Sequence, residues 1–200
     1  MSLRVETRDG EALWSALGPL AELRIRVFRE FPYLYEGSLA YEEGYLEHYA
    51  HSPRSRVVLV WDGDRVVGAS TVIPLADAQA DVQEPFTRAG IDLSGIDYFG
   101  ESVLLREYRG RGFGVRFFEL REAHALEHGL GVCAFCAVER PADHPLRPKD
   151  YVPNDAFWAK RGYEKVPELR TTLSWLDLGE MEQTAKPMTF WLKRLEGSAS

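Results

Sequence analysis

The stretch from Ile96 to Val138 constrains the fold of this 200-residue chain more than any other. Ile96 to Leu105 has strand character, and Arg106 to Gly114 is a charged, glycine-rich turn. Val115 to His128 carries a helical repeat in Phe117, Phe118, Leu120, Ala123 and Leu126, with Gly129 and Gly131 ending it. The apolar run Val132 to Val138 follows directly. Strand, helix and strand in this order predict adjacent, parallel strands with the helix across one face of their sheet.

The flanking segments extend that sheet. Arg56 to Trp61 and Arg65 to Leu75 are β-branched runs around Asp62-Gly63-Asp64, which predicts an antiparallel hairpin. Leu3 to Thr7 reads as a first short strand, and Leu169 to Leu178 and Met188 to Leu195 as two closing strands. Leu13 to Phe28 has helical spacing that Gly18 and Pro19 interrupt or restart. A second helix starts near Ser38, a short one covers Val82 to Ala89, and another covers Asp155 to Arg161 and ends at Gly162. Residues 76–95 and the proline-rich 139–153 read as insertions around one sheet. The prediction is a single α/β domain over residues 1–200, a mixed sheet flanked by helices.

Charge excludes some functions. Asp and Glu number 31 against 24 Lys and Arg, a net charge of -7, with no concentrated basic face for nucleic acid. No apolar run is long enough to span a bilayer, and the N-terminus has no signal-peptide core. The expectation is a cytoplasmic protein with no membrane or nucleic-acid partner. Cys133 and Cys136 sit three apart on an apolar strand, on opposite faces, so core packing is expected rather than a redox pair or metal site. His124 and His128 read as a solvated helix face, and no metal is expected. Glu30 to Ala50 holds five tyrosines and five glutamates with no Lys or Arg. It is either a helical pair with buried rings or an acidic, aromatic lip for a cationic substrate.

In the turn, Arg109, Gly110, Arg111, Gly112, Phe113 and Gly114 lie between strand and helix, the context of a phosphate nest. No lysine follows a glycine as a P-loop needs, and neither glycine start gives G-x-G-x-x-G. What remains resembles the GNAT family of N-acetyltransferases. Its R/Q-x-x-G-x-G/A signature is matched by Arg109-x-x-Gly112-x-Gly114, and its second element by Asn154 to Trp158 followed by Gly162-Tyr163. The resemblance runs from residue 3 to 195.

The resemblance implies a sheet whose fourth and fifth strands splay apart around acetyl-coenzyme A. Val103, Leu104 and Leu105 would pair with the pantetheine arm, and the N–H groups of Arg111 to Gly114 would receive the pyrophosphate. Asn154 would either reach the pantetheine or cap the short helix. A carboxylate on the fourth strand would take the amine's proton: Glu101, buried among Phe99, Val103 and Leu105, with Asp97 as second choice. Tyr33, Tyr35 and Glu36 are candidates for binding the acceptor, and Glu42 and Glu43 for attracting it. His144 is a candidate for the cleft border. Trp158 stands where many members carry the tyrosine that protonates the leaving thiolate, so Tyr151, Tyr163, water or unassisted departure must serve there. The expected function is transfer of acetyl to a primary amine on a small molecule, by a monomer or homodimer. The alternatives are a protein N-acetyltransferase and a non-catalytic acyl-coenzyme A-binding protein.

Overall fold

The computed structural model describes residues 2–196. Seven strands form one sheet in the order β1-β2-β3-β4-β5-β7-β6. They are β1 (Leu3–Asp9), β2 (Arg56–Asp62), β3 (Arg65–Pro74), β4 (Ile96–Leu104), β5 (Val132–Val138), β6 (Glu164–Trp175) and β7 (Thr184–Arg194). The helices are α1 (Trp14–Phe28), α2 (Leu39–His51), α3 (Ala80–Arg88), α4 (Phe113–Glu127) and α5 (Asp155–Lys160). β4 and β5 are parallel and the other neighbours antiparallel, as the central strand–helix–strand unit requires. No helix among the described residues is long and apolar enough to cross a membrane.

The β4–β5 pairing is short. It covers Ile96 with Val132, Asp97 with Cys133 and Tyr98 with Ala134, then stops. β4 nevertheless continues to Leu104 and β5 to Val138. The strands splay, and β7 holds β5 along its whole length on the far side. One edge of β4 therefore faces open space in the centre of the sheet.

Apolar alternation sorts the core into two layers. Phe99, Cys133 and Phe135 pack with Phe118 of α4 and Tyr163. Tyr98 and Cys136 face the other layer, with Leu20 of α1 and Leu46 and Tyr49 of α2. Cys133 and Cys136 are buried, free thiols on opposite faces, as their spacing on a strand predicts.

Several boundaries differ from the sequence reading. α1 runs unbroken through Pro19. The carbonyl that loses its helical donor belongs to Ser15, an exposed residue, so the missing bond falls on the solvent side of the helix. β6 begins at Glu164 rather than Leu169, because a bulge between Val166 and Arg170 absorbs Pro167 and hides the alternation. β7 begins at Thr184, where a polar start conceals the strand from a hydropathy reading. The buried stripe of α4 is Phe117, Phe118, Arg121, His124 and Ala125, and Leu126 is exposed. His124 is thus a core residue, not part of a solvated face. Two polar residues in the stripe disguised its direction.

Candidate active site

Regular alternation along β4 would put Glu101 on the face of Asp97 and Phe99. A β-bulge prevents it. The β3–β4 register shifts between Ser70 and Val72, so Gly100 and Glu101 lie together opposite Thr71. Thr71 Oγ1 accepts the Glu101 backbone N–H at 3.2 Å. Bulges re-aim side chains, and this one turns Glu101 to the Tyr98 face. Glycine is required at 100, since a Cβ there would stand 1.8 Å from the Tyr49 hydroxyl. Glu101 is therefore not packed beside Phe99 as the sequence suggested.

Buried Arg24 of α1 meets it instead. Arg24 Nη1 donates to Glu101 Oε2 at 2.5 Å, and Nε donates to Glu42 Oε2 of α2 at 2.5 Å. Glu42 is wholly buried, so it sits inside the protein, not on a lip. Glu101 Oε1 is buried and has no hydrogen-bond partner. Burial pushes the Glu101 carboxyl above the usual carboxylate range, against the pull of Arg24 and with the repulsion of Glu42. On the opposite side of the bulge, buried Arg121 donates to the Glu101 carbonyl at 3.4 Å and lies 4.2 Å from the Phe99 ring. Burial pushes the Arg121 pKa down to about 10. Arg121 braces the backbone that presents Glu101.

Glu101 and Arg24 open onto a cavity of about 320 Å³. Its walls include Phe28, Tyr33, Tyr35, Tyr41, Tyr45, Tyr98 and Trp175. Of the proposed acceptor residues, Tyr33 and Tyr35 are there. Glu36 is exposed and accepts from Arg29 at 2.6 Å, while Glu43 is exposed and lies outside the wall. The insertion at 76–95 contributes Gln79, Ala80 and Asp81 to the cavity. The proline-rich loop contributes through Arg140. Its guanidinium donates to the carbonyls of Pro32 at 2.8 Å and Tyr33 at 2.7 Å. It also takes both oxygens of Asp177, at 2.7 and 2.8 Å. Trp175 Nε1 donates to the same Tyr33 carbonyl at 3.0 Å. These bonds hold the α1–α2 loop over the cavity.

The glycine turn lies at the other end of the splay. Gly110 and Gly112 have φ +75° and +85°, which only glycine adopts freely. Among the described residues, no protein acceptor takes the backbone N–H of any residue from Gly110 to Val115. Six consecutive donors at the N-terminus of a 15-residue helix form an anion nest. Gly114 leaves room for Phe157 of α5, whose ring would be 3.4 Å from an added Cβ. Phe113 is half-buried. Arg109 is turned away from the nest, donating to the Leu104 carbonyl at 3.0 Å and pairing with Glu30 at 2.9 Å. Arg111 donates to the Glu107 carbonyl.

Backbone direction sorts the proposed strand contacts. The Leu105 N–H goes to the Val67 carbonyl, so Leu105 and Val103 face β3. Leu104 and Ser102 face the splay, and Ser102 was not among the predicted residues. The Asn154 side chain does not cap α5 and makes no hydrogen bond among the described residues. Trp158 packs edge-on against Phe135 at 5.0 Å and Trp191 at 5.2 Å.

Other candidates lie elsewhere. Asp97 is fully buried on the α4 side, where Oδ2 pairs with His124 Nδ1 at 2.7 Å. His124 Nε2 donates to the Arg54 carbonyl at 2.8 Å. Asp97 thus belongs to a link between β4, α4 and the turn before β2, not to the cavity. Tyr163 is buried and donates to Glu122 at 3.0 Å, which removes it as an acid for a leaving thiolate. His144 packs on Phe31 and does not line the cavity. Arg24 was missed, although its i, i+4 spacing between Leu20 and Phe28 puts it on the core side of α1.

No protein-family model and no curated protein matches the chain. Solved structures do. The yncA protein of Salmonella typhimurium, solved with its cofactor acetyl-CoA, superposes with a TM-score of 0.60 at 10% identity, covering 100% of this chain and 98% of that one. An acetyltransferase of the GNAT family from Streptococcus pneumoniae gives 0.58 at 14% identity, covering 96% and 100%. The ribosomal-protein-alanine N-acetyltransferase of Brucella melitensis gives 0.57 at 15% identity, covering 95% and 99%. At these identities the likeness is one of fold, and this chain has the fold of the GNAT acetyltransferases.

Proposed function

We propose that the chain is an acetyl-coenzyme A-dependent N-acetyltransferase acting on a small primary amine. The observation that carries this reading is a splayed β4 with an empty-handed donor nest at one end and a buried carboxylate, opening on a small cavity, at the other. The residues fit the cofactor: the N–H groups from Gly110 to Val115 suit a pyrophosphate, while Leu104, Ser102 and the free Asn154 side chain suit the amide-bearing arm. The bound cofactor supplies an activated acetyl group.

The protein's own part is to hold the amine and remove its proton. An ammonium has no lone pair to attack with, so Glu101 Oε1 accepts one proton from it. The freed nitrogen forms the N–C bond as the C–S bond breaks. The nitrogen's second proton passes through water to the departing thiolate, giving an amide, coenzyme A and the proton held on Glu101. A carboxylate raised by burial suits this task, and base catalysis of this type contributes roughly 10²- to 10⁴-fold. The buried tyrosine hydroxyls of Tyr45 and Tyr98 have pKa values raised by burial, so they stay neutral and orient rather than ionise.

The test is a panel of primary amines assayed for free coenzyme A release with acetyl and propionyl donors. Release that depends on amine, greater with acetyl, is expected. Tight coenzyme A binding without amine-dependent release would favour a non-catalytic binding protein.

A further inference from the structure

We infer that the cavity selects an acceptor whose only charge is its ammonium, carried on an aromatic body: an arylalkyl monoamine rather than an amino acid. This rests on the transferase reading for its chemistry but on the cavity alone for its selectivity.

The charge argument begins with Glu42, Arg24 and Glu101. Two carboxylates share one guanidinium, all three buried, so the cavity side of β4 carries one negative charge in excess; buried Arg121, the other cation near Glu101, reaches only its carbonyl from the opposite side. Burying such a charge costs several kcal/mol unless a cation joins it. Glu42 Oε1 and Glu101 Oε1 both lack a hydrogen-bond partner, and of the two residues Glu101 is the one that lines the cavity, so a cation would meet its Oε1. Among the described residues Arg24 is the one cation that lines the cavity, and its Nε and Nη1 are already engaged by the two glutamates. Its charge is spent within the protein, so a ligand carboxylate would meet a site that is net negative. Lys186 and Arg140, behind Trp175, are paired with Asp177, and Lys186 also with Glu180. Asp81, exposed at the cavity, adds further negative charge. A zwitterion brings no net charge and one group of the wrong sign.

The walls argue for the body. Seven aromatic rings and the side chains of Leu173, Met188 and Cys136 line a space at the small end of ligand sites, which run from about 300 to 1,000 Å³. Ring faces attract an ammonium, and ring edges and faces pack an aromatic guest. The Arg24 guanidinium lies 4.5 Å from the Tyr45 ring and 5.0 Å from Phe28, the kind of cation–ring contact an ammonium would make with the remaining rings. The volume suits the body of one small molecule.

The experiment is calorimetric binding to the full chain, without an acyl donor, of 2-phenylethylamine, phenylalanine and 2-phenylethanol. The amine should bind at least tenfold more tightly than either comparison compound. Glu42→Gln, which neutralises the triad while leaving Arg24 paired with Glu101, should weaken the amine at least fivefold and leave the alcohol unchanged. Phenylalanine or the alcohol binding within threefold of the amine would overturn the inference, and needs only the unmodified protein. Acetyl transfer is read separately. Selective amine binding without coenzyme A release from any amine would sink the transferase reading and leave the selectivity standing. Release with other amines but no preference for the arylalkyl monoamine would do the reverse.

Discussion

Replacing Arg140 by methionine should loosen the acceptor cavity from a distance. The guanidinium and Asp177 are both buried, and two loop carbonyls depend on the same group. Methionine keeps much of the aliphatic stem but leaves the Pro32 carbonyl without its donor, the Tyr33 carbonyl with Trp175 Nε1 alone, and the Asp177 carboxylate without its two-pronged partner. Removing one partner of a buried pair costs about 3–5 kcal/mol, and at 2–4 °C per kcal/mol for a chain of this size Tm should fall by roughly 6–20 °C. Lys186 Nζ, 3.5 Å from Asp177 Oδ1, can take over part of the charge and moves the expectation to the lower half of that range. Tyr33 and Tyr35 keep the Trp175 and Phe28 bonds but lose the Arg140 clamp on their loop, so the acceptor KM should rise at least fivefold. Coenzyme A affinity should stay within twofold, because the nest lies elsewhere. Thermal melts, acceptor kinetics and coenzyme A titration on one preparation decide the matter. A Tm loss under about 2 °C with an unchanged acceptor KM would refute the role given to this loop.

Gly112→Val places a β-branched residue at φ +85°, in a conformation that disfavours it strongly. Nothing lies within 4 Å of the added Cβ, so the effect is on the backbone of the nest, not on packing. Coenzyme A affinity should fall at least tenfold, about 1.4 kcal/mol; unchanged affinity in a folded variant, by calorimetry, would remove the nest assignment. Asp97→Asn should lower Tm by breaking the link to His124 while kcat/KM stays within threefold. A loss in kcat of a hundredfold or more would return Asp97 to candidacy as the base.

The parts of the fold legible in the sequence are those with local causes. Glycine and arginine at residues 109–114 mark a turn whose left-handed positions and orphan donors follow from residue type and from the helix behind it. The parallel strands on either side, and the opposite faces of Cys133 and Cys136, follow from periodicity. Glu101 was legible as a residue but not in its surroundings. The bulge that turns it away from Phe99 depends on Thr71 and on the nearness of Tyr49, which no alternation along β4 contains. Arg140 carried no signal, because its carbonyl partners lie 107 and 108 positions away. His124 was misread, and Arg121 passed over, because polar residues in a helix are ordinarily solvated, and here a carboxylate, backbone carbonyls and ring faces satisfy them instead. In the tyrosine-rich stretch the helical pair with buried rings is found, and the acidic lip is not, since none of its glutamates lines the cavity. Tyr49 and Glu42 are core, while Tyr33, Tyr35, Tyr41 and Tyr45 line a cavity.

Glu101→Gln tests the central claim most directly, because glutamine keeps the size and still accepts from Arg24 but cannot take the amine's proton. Neutralising this position also leaves Arg24 and Glu42 as a balanced pair, so the fold should survive. The measurement is kcat/KM for an accepted amine across a pH series, at saturating acetyl-coenzyme A, for both proteins. Burial raises the Glu101 pKa, so the wild-type rate should fall on the acid side of an apparent pKa above the ordinary glutamate value of 4.5. The folded Gln variant should be slower by roughly 10²- to 10⁴-fold and should lack that limb. A variant within threefold of wild type, with the same pH profile, would contradict proton removal by Glu101.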